Sequence, residues 1–285
     1  MGLSRANARL QQSDAAAQTS GPALGGVLVA VLGAPVAVLV DAVSYLVAGL
    51  LTASIRAVEP VPARLERHLR RELGEGVAWV YRHRTLRPMA LTTHAWFLFF
   101  SVLGAVYAPF VLTTLARSPL ALGVTLALAG VGGLLGASAS ERLTARLGLF
   151  RTVAGARLLE AGGIAVVALA AVAPGPALAL LGGGQLLVGF GLGLEGPATM
   201  AYRQGVTPDR LQGRMNTTMR SANRAAIVFG APLGGVLADR AGSGVALAVS
   251  ATGVALTAVL LGRTGFRFAR LDDVPPTGTG PMQAA

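Results

Sequence analysis

Eight long apolar segments dominate this sequence and limit what it can fold into. They run near residues 10–32, 35–55, 89–113, 120–140, 150–172, 177–200, 216–238 and 244–263. Each is close to the roughly 20 apolar residues that a helix needs to cross a bilayer. Only 13% of the residues are charged, against about a quarter in soluble domains. We therefore predict an all-α, polytopic transmembrane helix bundle of about eight spans, with the lipid bilayer as its solvent.

The distribution of arginines predicts the orientation of these spans. The net charge is +11, and the 24 basic residues are all arginines. With a cytoplasmic N-terminus, 19 arginines fall in cytoplasmic segments, two in outside loops and three within spans. This asymmetry is the positive-inside rule. It predicts a multi-pass protein of the cell (inner) membrane with both termini in the cytoplasm, and it explains the basic charge without nucleic acid.

The sequence gives no support for enzyme chemistry or a bound cofactor. It has no cysteine, and its three histidines are too dispersed for a metal site. Gly191, Gly193 and Gly196 spell the dinucleotide-binding pattern G-x-G-x-x-G, but they lie in an apolar span with no preceding strand. We interpret them as a helix-packing run, and we expect neither a metal nor an enzymatic activity.

A repeated segment indicates two related halves. Arg5 to Leu28 reads R-A-N and then G-P-A-L-G-G-V-L, and Arg214 to Leu237 reads R-M-N and then G-A-P-L-G-G-V-L at the same spacing. Repeats of this kind are typical of membrane transporters. The conformational motif comprises Gly21, Pro22, Gly25 and Gly26 in the first copy, and Gly230, Pro232, Gly234 and Gly235 in the second.

Both copies combine helix weakening with close packing. Proline removes a backbone donor, and glycine lets helices approach each other. One hypothesis is a contact that rocks or unseals during transport. The alternative is packing alone.

Several segments together resemble the major facilitator superfamily. The first glycine–proline segment matches the antiporter motif of its exporters, and the segments N-A-R-L-Q-Q-S (7–13), V-D-A-V-S-Y-L (40–46), E-G-V-A-W-V-Y-R-H (75–83) and T-P-D-R-L-Q-G-R (207–214) also fit. Their order and spacing are similar to the branch that exports macrolides and siderophores.

This resemblance implies a twelve-helix fold of which the chain contains helices five to twelve, with the first four absent. We expect a two-helix remnant of the N-terminal half (1–58), a cytoplasmic amphipathic linker (59–88), a six-helix C-terminal half (89–264) and a disordered cytoplasmic tail (265–285). The implied function is proton-coupled efflux of drug-like or siderophore-like small molecules by alternating access. The alternative is a truncated protein that does not transport, or a subunit that pairs with another chain.

The linker pattern predicts an amphipathic helix on the cytoplasmic membrane surface. Leu65, Leu69, Leu73, Val77 and Val80 recur every three or four residues. Arg and Glu fill the other face, with Glu66–Arg70 and Arg71–Glu75 at the i,i+4 spacing of ion pairs. The alternative is a plain solvated linker.

Charges within spans are costly and are therefore candidates for proton coupling or the substrate cavity. They are Asp41, Glu160, Glu195, Arg220 and Arg224. A Glu195–Arg224 pair could be a gate, a proton site or a static link between helices. Arg157, three residues before Glu160, could neutralise it, or could extend to the membrane surface as Arg220 could. Asp41 has a coupling role or a simple hydrogen bond.

Four residues of predicted cytoplasmic loops complete the candidate set. Arg146 and Gly148 retain part of the family's D-R-x-G loop pattern, but Ala145 replaces the acid, so a charge lock there is in doubt. Asp209 and Arg214 belong to the segment T-P-D-R-L-Q-G-R.

Overall fold

All regular secondary structure of the described residues is helical. The structure, a computed structural model, describes residues 28, 31–32, 34–55, 69–173 and 175–269. Its α-helices are α1 (Ala34–Ala53), α2 (Leu69–Arg82), α3 (Leu86–Pro109), α4 (Pro119–Leu147), α5 (Leu149–Leu169), α6 (Ala177–Val206), α7 (Asp209–Ala241) and α8 (Ser243–Gly262). A π-helical turn, Phe110–Thr114, continues α3, and a 3₁₀ turn, Gly265–Phe268, follows α8.

The predicted all-α bundle is confirmed, and seven of the eight predicted spans coincide with helices α1 and α3–α8. The first predicted span lies almost entirely outside the described residues. Six helices of the described part are long and apolar enough to cross a membrane. Helix α7 is not one of them, because its 33 residues include Arg214, Arg220 and Arg224 as well as a charged residue near each end. It is the polar helix of the bundle.

Glycine and proline mark the sharp turns between the helices. Gly148 has φ 82° between α4 and α5, and Gly242 has φ 90° between α7 and α8. Glycine reaches these angles without a steric penalty. Ser118 accepts the Ala121 N–H at 3.2 Å, and Pro119 follows at the first helical position of α4. These short connections make successive helices antiparallel.

Helices α3–α8 pack around one apolar core, in which α6 lies between α4 and α5 while α3 contacts α7 and α8. The α4–α6 contact depends on glycine. A Cβ at Gly132 or Gly136 would meet the carbonyl oxygen of Leu186 or Phe190 at 2.2 or 2.1 Å. Gly189 and Gly193 are equally close to α4 in return. Such backbone approach is how membrane helices associate closely.

Large apolar side chains are exposed on several helices of the described part of the chain. Leu134 and Leu135 of α4 and Val228 and Phe229 of α7 are exposed. None of the residues in the apolar window of α1 is buried. The division of the chain into a two-helix remnant, a linker, a six-helix half and a tail stays a prediction, and residues 56–68 and 270–285 lie outside the described residues.

The described part of the linker is helical. α2 begins at Leu69 and ends at Arg82. The predicted Arg71–Glu75 ion pair is formed, with Arg71 Nε donating to Glu75 Oε1 at 3.2 Å. The predicted Glu66–Arg70 pair falls outside the described residues.

Candidate functional site

A buried arginine links three helices near the middle of the bundle. Arg157 of α5 is fully buried (0% exposed), and its guanidinium donates to Glu195 of α6. The Nε distances to Oε1 and Oε2 are 3.2 and 3.1 Å, and Nη2 is 2.8 Å from Oε1. Nη2 also donates to the hydroxyl of Thr93 on α3 at 3.0 Å. This is a bidentate, charge-assisted pair, the strong form of an Arg–carboxylate contact.

A second carboxyl group lies one turn further along α5. Glu160 is fully buried, and its Oε2 accepts the indole N–H of Trp96 at 2.6 Å. Within the described part of the chain, Glu160 Oε1 and Arg157 Nη1 have no hydrogen-bond partner. We refer to Arg157, Glu160, Glu195, Thr93 and Trp96 as the buried charge cluster. It holds two carboxyl groups against one guanidinium.

The buried charge cluster lies deep in the membrane-spanning region. Arg157 and Glu160 are about 12 and ~17 Å from the start of α5 at 1.5 Å per residue. A bilayer core is about 30 Å thick. Gly191 of α6 makes room for Glu160, because a Cβ there would lie 2.5 Å from Glu160 Cγ and 2.7 Å from the Ala156 oxygen. In the G-x-G-x-x-G run, Gly191 and Gly193 therefore lie at helix contacts, as the apolar setting of the run predicts. A Cβ at Gly196 would meet nothing within 4 Å.

The predicted pairings of these charges are wrong. Glu195 pairs with Arg157 and not with Arg224, because α5 rather than α7 packs along the cluster face of α6. Arg157 forms no ion pair with Glu160 in the described part of the chain, and because it is fully buried it does not extend to the membrane surface. Arg220 and Arg224 are exposed on α7, and Asp41 is exposed on α1.

The second glycine–proline copy forms the α7–α3 contact. A Cβ at Gly230 would meet the Leu98 oxygen at 2.1 Å, and one at Gly234 would meet Val102 Cα at 2.9 Å. Pro232 is exposed and Gly235 has nothing within 4 Å, and α7 continues through both. The first copy, Gly21, Pro22, Gly25 and Gly26, lies outside the described residues.

The four loop candidates lie at the end of the bundle that carries α2, hereafter the α2 end. Arg146 is exposed in the last turn of α4, before Gly148. Asp209 begins α7 and accepts from Gln212 Nε2 at 3.1 Å. Arg214 forms ion pairs with Glu75 and, at 3.6 Å, with Glu72 of α2.

Sequence reasoning includes Glu160 and Glu195 in the candidate site and places Arg157 beside Glu160, but it misses the Arg157–Glu195 pair and the contacts of Thr93 and Trp96. One signal was available, since Arg157 and Glu160 share a helix face and the other charge of that span, Arg151, lies at its start. The remaining contacts depend on which helices are adjacent, and a single sequence does not give that information.

Comparisons with known proteins identify the family of this chain. The family model described as Major Facilitator Superfamily matches residues 2–231. The fold is similar to the crystal structure of a bacterial homologue of the iron transporter ferroportin in an inward-facing state, with a TM-score of 0.69 and 20% sequence identity. The alignment covers 92% of this chain and 63% of that protein, so the chain spans less than two thirds of its length. No curated protein matches the sequence significantly.

The matched residues include most of the helices described above, and they run from the first predicted span into the second glycine–proline copy. The bundle has the same fold as a solved transporter. The chain is therefore a multi-pass membrane protein, and it belongs to the major facilitator superfamily.

Proposed function

We propose that this chain acts in secondary active transport, exporting small molecules by alternating access in exchange for protons. Its family supports transport. The observation that carries proton coupling is the buried charge cluster, in which Arg157 binds Glu195 while Glu160 keeps one oxygen unpaired among the described residues. Ionisable groups inside a membrane protein are expensive, and they typically mark ion pathways and proton relays.

Glu160 is the proton-binding group of this proposal. With a proton on Oε1, Glu160 is neutral and Arg157 stays with Glu195. When the proton leaves, two carboxylates compete for one guanidinium, and Arg157 is three residues from Glu160 on the same helix face. Movement of Arg157 toward Glu160 would release Glu195, whose side chain is 14% exposed. The proton would thus change the contact between α5 and α6.

The proposed orientation rests on the arginine distribution, and the proposed substrate class rests on the family resemblance. The α2 end faces the cytoplasm of a plasma membrane, because the arginine-rich loops lie there. The substrates are drug-like or siderophore-like small molecules, as the resemblance to the exporter branch suggests. Iron transport is not carried over from the ferroportin homologue, since a likeness at 20% identity extends to the fold alone.

Trp96 offers a direct test of the proton on Glu160. The chain has two tryptophans, so Trp79→Phe leaves Trp96 as the single fluorophore, hydrogen-bonded to the carboxyl group in question. We expect its emission in lipid nanodiscs to change in one step with pH. Glu160→Gln should abolish the step, while Asp41→Asn should leave it intact.

Transport is measured with the same variants in proteoliposomes under an imposed proton gradient, with an amphipathic dye as substrate. Glu160→Gln should uncouple dye movement from the gradient. A Trp96 emission that is independent of pH, or a pH step that survives Glu160→Gln, contradicts Glu160 as the proton site.

A further inference from the structure

Helix α2 is attached to the bundle by ion pairs with α7. Arg214 of α7 binds Glu75 and lies 3.6 Å from Glu72, and Arg71 binds Glu75 from within α2. All four side chains are partly exposed. The Arg71 hydrogen bond, followed by the charge of Arg214, holds the pKa of Glu75 below its ordinary value of 4.5. Glu75 is therefore ionised under physiological conditions and available to both arginines.

Aromatic side chains of α2 provide a second set of contacts. Trp79 Nε1 donates to the Thr207 hydroxyl, just before α7, at 3.1 Å. The Tyr81 hydroxyl is 2.9 Å from His94 Nε2 on α3, and His94 Nδ1 is 2.7 Å from Asn223 Oδ1 on α7. Tyr81 thus covers a hydrogen bond that joins α3 to α7.

The closest approach of α2 to α7 occurs at a glycine. A Cβ at Gly76 would lie 2.9 Å from both the Arg214 carbonyl oxygen and the Thr218 hydroxyl oxygen. Gly74, two residues earlier, has nothing within 4 Å. A bulky side chain at Gly76 would therefore push α2 away from α7, whereas one at Gly74 would not.

These contacts are numerous but individually weak. Val80 is the one large apolar side chain of α2 that is fully buried in the described residues (1% exposed), whereas Leu73 and Val77 are exposed. Partly exposed ion pairs typically contribute little and are screened by salt.

We propose that α2 is a reversible latch across the α2 end of the bundle. Docked, it holds α3 and the start of α7 together and covers His94. Released, it uncovers His94 and frees the two helices to separate at this end. The turn of α3 that carries His94 also carries Thr93 and Trp96, so the latch is one residue from the buried charge cluster. The latch itself does not depend on the proposed function.

The docked state can be trapped, because the chain contains no cysteine. Thr218→Cys removes the hydroxyl that a Cβ at Gly76 would meet at 2.9 Å, and Gly76→Cys with Thr218→Cys should therefore form a disulfide under mild oxidation in nanodiscs. Gly74→Cys with Thr218→Cys is the matched control and should not. Equal yields from the two pairs would overturn the docking geometry.

The released state is measured by the reactivity of Val80→Cys toward a soluble maleimide. We expect slow labelling at about 0.05 M KCl and labelling at least about fivefold faster at about 0.5 M, where charge screening is strong. Gly76→Leu should give fast labelling at low salt, and Gly74→Leu should not. The salt series leaves Gly76 and the ion pairs unchanged, so it decides the question even where Gly76→Leu misfolds.

The latch is wrong if Val80→Cys reacts at the same rate across the salt series. Uniformly slow labelling would make α2 a fixed part of the bundle, and uniformly fast labelling would make it an undocked linker. The labelling rate could also increase with salt while Gly74→Leu gives equally fast labelling at low salt. That result would mean that the rate reports the stability of α2 rather than its docking, and it would also overturn the latch.

Discussion

At the scale of single residues, the stability of the buried charge cluster depends on Arg157 more than on either carboxyl group alone. Its guanidinium makes every contact to Glu195 and Thr93. Buried ion pairs are often no more stabilising than apolar packing, but removal of one partner leaves a charge without compensation. A single substitution and a paired substitution should therefore differ strongly.

We expect Arg157→Gln to destabilise the protein by about 3–5 kcal/mol, since it leaves Glu195, whose side chain is only 14% exposed, charged and without its partner. The double variant Arg157→Gln with Glu195→Gln should be less destabilised than the sum of the two single variants. The free energies of unfolding in detergent, combined in a double-mutant cycle, measure this coupling. Additive effects would show that the pair contributes no interaction energy.

His83 is a second residue with a specific charge requirement, at the corner between α2 and α3. Its Nδ1 accepts the backbone N–H groups of Thr85 and Leu86, each at 3.3 Å. An imidazole protonated on Nδ1 cannot accept them. Burial lowers the pKa of His83 from its ordinary 6.5.

Because this pKa is lower in the folded protein, the unfolded chain binds more protons as the pH falls below 6.5. The contribution of His83 to stability is therefore complete above 6.5 and is lost toward its folded-state pKa. We expect His83→Asn, whose amide oxygen still accepts, to flatten this dependence by about 1 kcal/mol, the typical value of a hydrogen bond. The free energies of unfolding of the wild-type protein and of His83→Asn are measured between about pH 7.5 and about 5.5. The contributions of the other histidines are the same in both proteins and cancel when the two curves are subtracted.

At the scale of helices, the bundle depends on backbone contact between α4 and α6. A Cβ at Gly189 would lie 1.8 Å from the Ala129 carbonyl oxygen. Gly183, on the same helix, has nothing within 4 Å. Substitutions at these two glycines therefore distinguish an effect on helix packing from an effect on helix propensity.

Gly189→Ala should force α4 and α6 apart and destabilise the protein by about 1–3 kcal/mol or more, the cost of overpacking. Gly183→Ala should be neutral or stabilising by up to about 1 kcal/mol, since alanine is the better helix former. Thermal unfolding in detergent compares the two variants. If both variants unfold at the same temperature, close contact between α4 and α6 does not limit the stability of the protein.

At the scale of the whole molecule, the sequence predicts the number and type of the helices better than it predicts which helices pack against each other. Apolar length is a local property, and it places the starts of α1, α3–α6 and α8 to within a few residues, whereas α4 and α6 continue seven and six residues beyond their predicted ends, 140 and 200. The pairing of Arg157 with Glu195 depends on which helices are adjacent and at what depth, so apolar patterning cannot supply it. Arg224 is misassigned for the same reason, because α7 packs against α3, α2 and α8 rather than against α6.

The uncovered face of α7 has a polar part and an apolar part. Arg220 and Arg224 are exposed, and further along the same helix Val228 and Phe229 are exposed. No carboxylate of the described residues forms an ion pair with either arginine, whereas Arg214 has two such partners. Two guanidinium groups on a helix within the bundle create a positive potential, which attracts anions when water reaches it.

We therefore expect Ser221→Cys, exposed beside Arg220, to react about tenfold faster with an anionic methanethiosulfonate than with a cationic one, after correction for their reactivity with a free thiol. The preference should fall in Arg220→Gln with Arg224→Gln and at high salt. Val228→Cys, in the apolar part, should react slowly with both reagents. Equal rates at Ser221→Cys would mean that acidic groups outside the described residues neutralise the arginines. No reaction at that position would mean that protein or lipid covers this face, and the positive surface would then not be part of a water-filled path.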